Sequence, residues 1–283
     1  MYFLGVRSSA RFHDLSFINR DTGYVAGMLW NIPIALNVVI HTSNGGDTWD
    51  TTNFPSNFSV RFVAFYNENI GVCGFPNIYI TKNGGDEWER VINVAYETSL
   101  NYGKMLSENL IYVSGNYGKI IKSTDGGYTW EYIQPAFIKE YPTILSVLDS
   151  NNVYALAEEQ LIFTSDGGNN WIEIDIPRPP GVTYNYLDFI NVNYGWIVGS
   201  SRHIYRTTDG GQSWLNQSPP QAGDAFTCID ALDSMTAIAG TSRAAILRTD
   251  NGGSRWIEQL SGKYNAIIDR VQIIDKEVAY AVG

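Results

Sequence analysis

The chain has 283 residues and a formal net charge of −10, and 44% of its residues are hydrophobic. This composition is typical of a soluble globular protein with one large domain or two small ones. Lys and Arg are scattered without a basic run, which disfavours nucleic-acid binding. The most apolar stretch, residues 28–40, is interrupted by Asn31, Pro33 and Asn37, so no transmembrane segment is predicted.

The first predicted element is a strand-like segment from Tyr2 to Arg7. The first repeat then begins with the alternating run Leu15 to Ile18 and continues with a second strand that ends at Gly27. We interpret residues 28–37 as a long loop that carries Trp30. A third strand leads into a turn at residues 42–49, and the fourth strand follows it. Period-two alternation between Gly, Asn and Asp turns favours strands over helices, and the same order recurs along the chain.

The turn before the fourth strand recurs six times as Ser/Thr-x-Asp/Asn-Gly-Gly-x-x-Trp, an Asp-box-like motif. The copies span residues 42–49, 81–88, 123–130, 164–171, 207–214 and 249–256, and successive Trp residues lie 39, 42, 41, 43 and 42 positions apart. Gly closes a tight turn because it accepts a positive φ, and the Asp or Asn side chain bonds the turn amides. We therefore interpret the box residues as structural: Asn44, Trp49, Asn83, Trp88, Asp125, Trp130, Asp166, Trp171, Asp209, Trp214, Asn251 and Trp256.

A second signature, a short apolar strand that ends in a small residue, recurs seven times. Its copies are residues 24–27, 72–74, 112–115, 154–157, 196–199, 237–240 and 280–283. Four short strands in about forty residues, repeated, are typical of propeller blades. The sequence therefore predicts an all-β fold, a seven-bladed β-propeller with Asp-box turns between the third and fourth strands of six blades.

We expect one propeller domain over residues 1–283. The predicted blades are roughly residues 10–50, 58–89, 99–131, 143–172, 184–215, 225–257, and 266–283 closed by 1–7. A propeller that does not tie its ends together leaves open sheet edges, so the N-terminal strand is predicted to complete the last blade. The alternative is that the chain is a fragment that lacks its last two strands.

Candidate binding residues lie in the loops between second and third strands and between blades, at the end of each blade opposite the boxes, because such variable loops usually carry function. Arg202 and Arg243 each follow a strand-ending Gly by three residues, and with Lys119 and Arg61 they are candidates for a basic patch. The candidate partner-binding residues are Trp30, Arg61, Phe75, Tyr117, Lys119, Arg202, His203 and Arg243. The alternative is that the charges are solvated and that the aromatic rings pack on one another.

The remaining chemistry-bearing residues form no recognisable site. Cys73 and Cys228 are far apart and are predicted to be buried thiols. His13, His41 and His203 are dispersed, and no nucleophile elbow, zinc or nucleotide-binding motif occurs. We expect no catalytic residues, no metal and no cofactor.

Two segments carry a resemblance to a known family. The pattern Phe17-Ile18-Asn19-x-x-x-Gly23-Tyr24-Val25-x-Gly27, together with Thr207-Thr208-Asp209-Gly210-Gly211-x-Ser213-Trp214, resembles the photosystem II stability/assembly factor-like propellers within the bacterial neuraminidase repeat class. The resemblance covers nearly the whole chain. It implies a seven-bladed propeller, periplasmic or secreted, that binds proteins, although the start of the chain has no signal-peptide pattern.

Two functional hypotheses follow. The first is a non-enzymatic, monomeric scaffold that binds one or more protein partners, as assembly factors do. The second is an Asp-box glycoside hydrolase, sialidase- or xyloglucanase-like, because those enzymes also carry Asp boxes. A hydrolase needs two carboxylates converging in a cleft, and no complete set of sialidase residues is recognisable in the sequence. We therefore favour the scaffold.

Overall fold

The computed structural model describes residues 2–3, 10–31, 34–53, 60–92, 99–134, 143–157, 160–219, 223–261 and 266–283. Six sheets have four strands each, and in each of them the strands follow one another in chain order. The blades are blade 1, β2 (Ala10–Phe17), β3 (Gly23–Asn31), β4 (Ile34–Thr42) and β5 (Asp50–Asn53); blade 2, β6 (Phe62–Phe65), β7 (Gly71–Gly74), β8 (Ile78–Thr81) and β9 (Glu89–Ile92); and blade 3, β10 (Leu100–Met105), β11 (Ile111–Gly115), β12 (Ile120–Ser123) and β13 (Glu131–Tyr132).

The second half of the chain repeats this plan. Its blades are blade 4, β14 (Thr143–Val147), β15 (Val153–Ala157), β16 (Gln160–Thr164) and β17 (Ile172–Ile174); blade 5, β18 (Tyr184–Phe189), β19 (Gly195–Gly199), β20 (Ile204–Thr207) and β21 (Leu215–Asn216); and blade 6, β22 (Phe226–Ala231), β23 (Ala237–Thr241), β24 (Ile246–Thr249) and β25 (Ile257–Leu260). The all-β propeller fold is as predicted.

The chain divides into two compact units. The N-terminal unit, Tyr2–Thr143, contains blades 1–3, and the C-terminal unit, Ile144–Ala281, contains blades 4–6. In both units burial falls from the second strand to the fourth. In blade 3, for example, every residue of β11 is buried while both residues of β13 are exposed. The apolar second strands therefore form the core, and the fourth strands form the rim.

Aromatic stacking joins consecutive blades within each unit. The Tyr24 ring of blade 1 lies flat on Phe65 of blade 2, with ring centroids 3.4 Å apart, and its hydroxyl donates to the Glu68 carbonyl at 2.9 Å. Tyr154 of blade 4 stacks in the same way on Phe189 of blade 5 at 3.6 Å. Burial raises the pKa of both tyrosines to about 12. The same stacking geometry at Tyr24 and Tyr154 gives these two signature tyrosines an equivalent packing role in the two units.

Side chains of the first strands also join consecutive blades. Asp14 accepts a hydrogen bond from the Val63 backbone N–H at 3.0 Å, and Asp188 accepts one from the Ala231 N–H at 2.8 Å. A buried polar group without such a partner is costly, so each bond fixes the register of one first strand against the next. We call these bonds the blade latches.

The structure shows six blades and not the predicted seven. The last repeat contributes only β26 (Arg270–Ile273) and β27 (Ala279–Val282), and these lie with β1 (Tyr2–Phe3) in a sheet of three strands. This repeat has the second-strand signature but no box, and its sheet has three strands among the described residues, so counting signatures overestimated the number of blades. Of residues 1–7, which were predicted to close the last blade, residues 1 and 4–7 lie outside the described residues, so this closure stays a prediction.

Candidate protein-binding surface

The six boxes are hydrogen-bonded turns between the third and fourth strands. In blade 3 the Ser123 hydroxyl donates to Asp125 Oδ1 at 2.8 Å, and that oxygen also accepts the Thr129 N–H at 2.9 Å. Asp125 Oδ2 accepts the Thr129 hydroxyl at 2.6 Å. These bonds lower the pKa of Asp125 to about 2, with the Thr129 hydroxyl as the largest cause. The carboxylate is occupied by its own turn, which fits an architectural role.

The glycines of the box are required by the backbone. Gly126 and Gly127 have φ of 78° and 96°, a region that other residues rarely adopt. The Trp130 indole N–H then donates to the Gly127 carbonyl at 2.8 Å and closes the turn. Because adjacent strands are antiparallel, the box and the second-to-third-strand turn lie at opposite ends of a blade. We call these ends the box side and the loop side of each unit.

Trp30 lies in a hairpin rather than in a loop. The sequence predicted a loop over residues 28–37, but β3 continues to Asn31 and β4 begins at Ile34, with Leu29 paired to Leu36 and Trp30 to Ala35. Cross-strand apolar pairs stabilise the extension despite the polar residues near its tip. Trp30 is 45% exposed, so its ring is available to a partner on the loop side of blade 1.

Arg61 and Phe75 come together on the loop side of blade 2. The Arg61 guanidinium carbon lies 5.3 Å from the centre of the Phe75 ring, and the Arg61 N–H donates to the Gly74 carbonyl at 3.1 Å. A cation over an aromatic face at this distance is attractive. These two predicted residues therefore form one surface in which a charge and a ring are presented together.

Tyr117 and Lys119 share a loop of blade 3 but point to different neighbours. Tyr117 is 56% exposed and adopts a φ of 60°. The Lys119 ammonium lies 5.7 Å from the ring of Tyr132, which belongs to β13. Tyr132 was not among the predicted residues, because its place beside Lys119 depends on the register in which β12 pairs with β13.

Arg202 and Arg243 bracket one short segment of the C-terminal unit. The Arg202 side chain lies against Gly223, where an added Cβ would approach its Cδ to 2.6 Å. Arg243 Nε lies 3.2 Å from the Asp224 carboxylate, with the Arg243 side chain 73% exposed. Gly223 and Asp224 were missed in the sequence, because nothing local marks the connection before β22. That Arg202 and Arg243 act together in binding stays a prediction.

His203 is held by its own loop. Its Nδ1 lies 3.0 Å from the Ser200 carbonyl oxygen, and its ring stacks on Tyr205 with centroids 6.1 Å apart. The His203 ring is half-buried, and Arg202 is the residue that precedes it in the chain. We interpret His203 as a support for the loop that presents Arg202.

The two thiols are buried. Cys73 and Cys228 are free and fully shielded, and burial raises the pKa of both, to about 12 for Cys228. A thiol in this state is a poor nucleophile. Within the described ranges, no three His, Cys, Asp or Glu side chains are grouped so that they could hold a metal ion.

Some loop positions that the sequence analysis covers lie outside the described residues. They include residues 4–9, 32–33, 158–159 and 220–222. Among the described residues, no helix is long and apolar enough to cross a membrane.

A family model and two curated relatives match the chain. The model described as "Photosynthesis system II assembly factor YCF48" matches residues 3–100 and 138–277. The photosystem II stability/assembly factor HCF136 of Oryza sativa subsp. japonica is 30% identical over 253 residues, with 72% of this chain and 58% of the relative covered. The photosystem II assembly lipoprotein Ycf48 of Synechococcus sp. strain CC9902 is 28% identical over 133 residues, with 45% and 39% covered. The chain thus spans well under two thirds of each relative's length.

Solved structures share the fold. A structure of YCF48 bound to a D1 peptide superposes with a TM-score of 0.80 at 18% identity, covering 99% of this chain and 92% of that one. The fold also occurs in enzymes: the GH74 xyloglucanase of Xanthomonas campestris gives a TM-score of 0.70 at 15% identity, with 85% and 45% covered. At such identities these likenesses show the fold alone.

Proposed function

Because the chain belongs to the family described as photosynthesis system II assembly factor YCF48, we propose that it is a non-enzymatic scaffold that binds a segment of a partner protein through its loop sides. The curated relatives are named as assembly factors and not as enzymes. The xyloglucanase shares only the fold, so nothing specific favours the hydrolase alternative.

The observation that carries the proposal is the pair of guanidinium groups around Gly223 and Asp224. Asp224 is the carboxylate that pairs with Arg243, and among the described residues no carboxylate pairs with Arg202. Two cations with one anion leave a local positive charge on a protein whose net charge is −10. Arg is favoured for recognising carboxylates because its planar group donates two parallel hydrogen bonds.

The partner chemistry that fits is a peptide segment with at least one carboxylate. Arg202 and Arg243 offer hydrogen-bond donors in the C-terminal unit. Trp30 and the Arg61–Phe75 pair offer aromatic surface in the N-terminal unit. Aromatic side chains and Arg commonly carry the binding energy of protein interfaces. Since a relative of known structure binds a D1 peptide, segments of the D1 protein are the first probes.

The test uses overlapping synthetic peptides that tile the D1 protein, with binding followed by fluorescence anisotropy. If one of them binds, Arg202→Ala and Arg243→Ala should each weaken it about fivefold or more, the loss expected for an interface anchor. Arg255→Ala, an exposed arginine of the blade 6 box, is the matched control and should bind as the unchanged protein does. Absence of binding by every peptide, or equal binding by all variants, would refute the proposal.

A further inference from the structure

A groove lies on the box side of the C-terminal unit, between blades 4 and 5. One wall is the outer strand β17, and the other is the box turn of blade 5 at residues 209–212. Phe163 and Tyr154 form part of its lining, and its volume is about 450 Å³. This volume lies in the range of sites that hold a few side chains of a ligand.

Apolar side chains in this groove are open to solvent. Ile172 is 61% exposed and Val192 is 41% exposed, and both line the groove together with Ile174. These three side chains form one small apolar patch in the groove instead of standing singly on the surface. The groove therefore offers an anchor point for an apolar side chain.

The charged groups of the groove are all acidic. Glu173, Asp175 and Asp209 are among its lining residues, and none of the lining residues is Lys or Arg. Asp209 is engaged by Thr207 and Ser213 in its own box turn. Glu173 lies 3.5 Å from Arg178, but both side chains are about half exposed, where such a pair is weak. Glu173 and Asp175 thus remain available to a cationic partner.

Among the described residues, no further strand pairs with the outer edge of β17. β17 is the last strand of its sheet. The Asp175 carbonyl accepts the Trp214 indole N–H at 3.0 Å, so this backbone group points away from β16 and toward blade 5. In an antiparallel strand alternate residues point their backbone groups the same way, so those of Glu173 also point outward. An extended peptide can pair with such an edge.

We propose that this groove binds an extended segment of a partner protein in which an apolar side chain is flanked by Lys or Arg. The apolar side chain packs on Ile172 and Val192, and the cations meet Glu173 and Asp175. A second copy of this acidic chain, or an anionic lipid surface, would instead be repelled. The site is on the opposite side of the blades from Arg202 and Arg243, so it is independent of the function proposed above.

The test uses a fluorescent heptapeptide in which Lys alternates with Ile and Leu, titrated with the full chain. Two matched probes replace either the Lys residues by Glu or the apolar residues by Ser. Of the three peptides, only the original heptapeptide of Lys, Ile and Leu should bind saturably. Ile172→Ser and Val192→Ser should each weaken it about five- to tenfold, which is the effect of losing an interface anchor. Glu173→Gln should weaken it less and should flatten its salt dependence.

The matched control is Ile257→Ser, which changes the same position of the outer strand in blade 6, outside the groove. It should bind the probe as the unchanged protein does, and thermal melting should show that all variants are folded. Four outcomes would overturn the proposal: no saturable binding, equal binding of the Ser-containing probe, equal loss in Ile257→Ser, or a dimer that only Ile172→Ser abolishes. The last would identify the groove as a self-association surface. None of these outcomes bears on the peptide binding tested with Arg202→Ala.

Discussion

The outer strands of the two units differ at one repeated position, the residue directly after the box Trp. In the N-terminal unit this residue is acidic in all three blades: Asp50, Glu89 and Glu131. In the C-terminal unit it is a large aliphatic residue in all three: Ile172, Leu215 and Ile257. All six side chains are exposed. The same position in the same turn thus carries opposite surface chemistry in the two halves of the chain.

The box architecture therefore does not determine which residue stands directly after the box Trp. The turn before it is built from the same hydrogen bonds in both units, as Asp125 and Asp209 show. The charges that line the grooves beside these strands also differ between the two units. In the N-terminal unit a groove of about 550 Å³ along residues 80–89 includes Lys82, whose ammonium lies 4.9 Å from the Tyr128 ring. That groove carries both signs of charge, whereas the groove beside Ile172 is apolar and acidic.

The largest expected effect is on the box, which both units share. Gly211 and Gly127 have φ of 93° and 96°, and an added Cβ would lie 2.6 Å from Ile174 Cγ2 and 3.0 Å from Ile80 Cγ2 respectively. Gly211→Ala and Gly127→Ala should therefore each lower the free energy of unfolding by about 2–4 kcal/mol through strain and crowding. Urea unfolding measures the loss. Equal destabilisation in both units would support a common architecture.

Gly181 is the control for this prediction. It has a φ of 73° but no atom within 4 Å of an added Cβ, so Gly181→Ala carries the backbone strain without the contact. Gly181→Ala should lower the free energy of unfolding by about 1 kcal/mol. If Gly181→Ala costs as much as Gly211→Ala, close packing is not what fixes the box glycines.

The next effect is on the blade latches, one from each unit. Asp14→Ala and Asp188→Ala each leave a backbone N–H, of Val63 and Ala231, without its acceptor. The expected loss in the free energy of unfolding is about 1–3 kcal/mol for each. Asp14→Asn keeps an acceptor oxygen and should cost less. A latch variant that melts at the same temperature as the unchanged protein would show that stacked rings alone hold the blades.

A smaller effect on stability is expected at the outer-strand position that differs between the units. Glu131→Ile and Ile257→Glu exchange the chemistry of the outer-strand position between the units. Both side chains are exposed, so each free energy of unfolding should change by no more than about 0.5 kcal/mol. Chemical denaturation of both variants gives the answer. A loss above about 2 kcal/mol in either would mean that the residue after the box Trp contributes to the stability of the fold.

Sequence alone predicted what depends on local chemistry. The box turns were recognisable because Asp or Asn, two Gly residues and Trp all act within eight positions. The blade count was wrong because the last repeat carries the strand signature of Tyr280 but no box, and its sheet has three strands among the described residues. The hairpin at Trp30 was interpreted as a loop because Pro33 and two Asn residues conceal a pairing that only the partner strand reveals.

The candidate site was less accessible to sequence reasoning than the fold. Arg202 and Arg243 were placed together because the repeat gives equivalent positions in successive blades. Their neighbours Gly223 and Asp224 were not, because a blade-to-blade connection has no repeating pattern. The groove beside Ile172 was also missed, since its two walls come from different blades and its lining residues match no motif.

The smallest expected effect is the pH dependence that separates Asp boxes from Asn boxes. In blade 1, Asn44 Oδ1 accepts the Thr48 N–H and its Nδ2 donates to the Thr48 hydroxyl at 2.8 Å. In blade 3, Asp125 Oδ1 accepts the Thr129 N–H, but the Thr129 hydroxyl donates to Oδ2. The Thr hydroxyl accepts a hydrogen bond in the Asn box and donates one in the Asp box. Asn can therefore replace Asp at neutral pH with little change in stability.

The stability of Asp boxes and Asn boxes should differ in its dependence on acid pH. Hydrogen bonds lower the pKa of Asp125 from 3.8 to about 2 in the folded protein, so the charged form favours folding. The resulting stability is fully present above the unfolded pKa and is lost as the pH falls from about 4 to about 2. Asp125→Asn removes this titration, so the variant should lose less stability than the unchanged protein over that range. Because the carboxylate is in solvent, the difference should be small, and combining Asp125→Asn with Asp166→Asn and Asp209→Asn should enlarge it. Acid titration at a fixed urea concentration measures this difference in stability. Parallel curves for the triple variant and the unchanged protein would show that box carboxylates and box amides are equivalent at every pH.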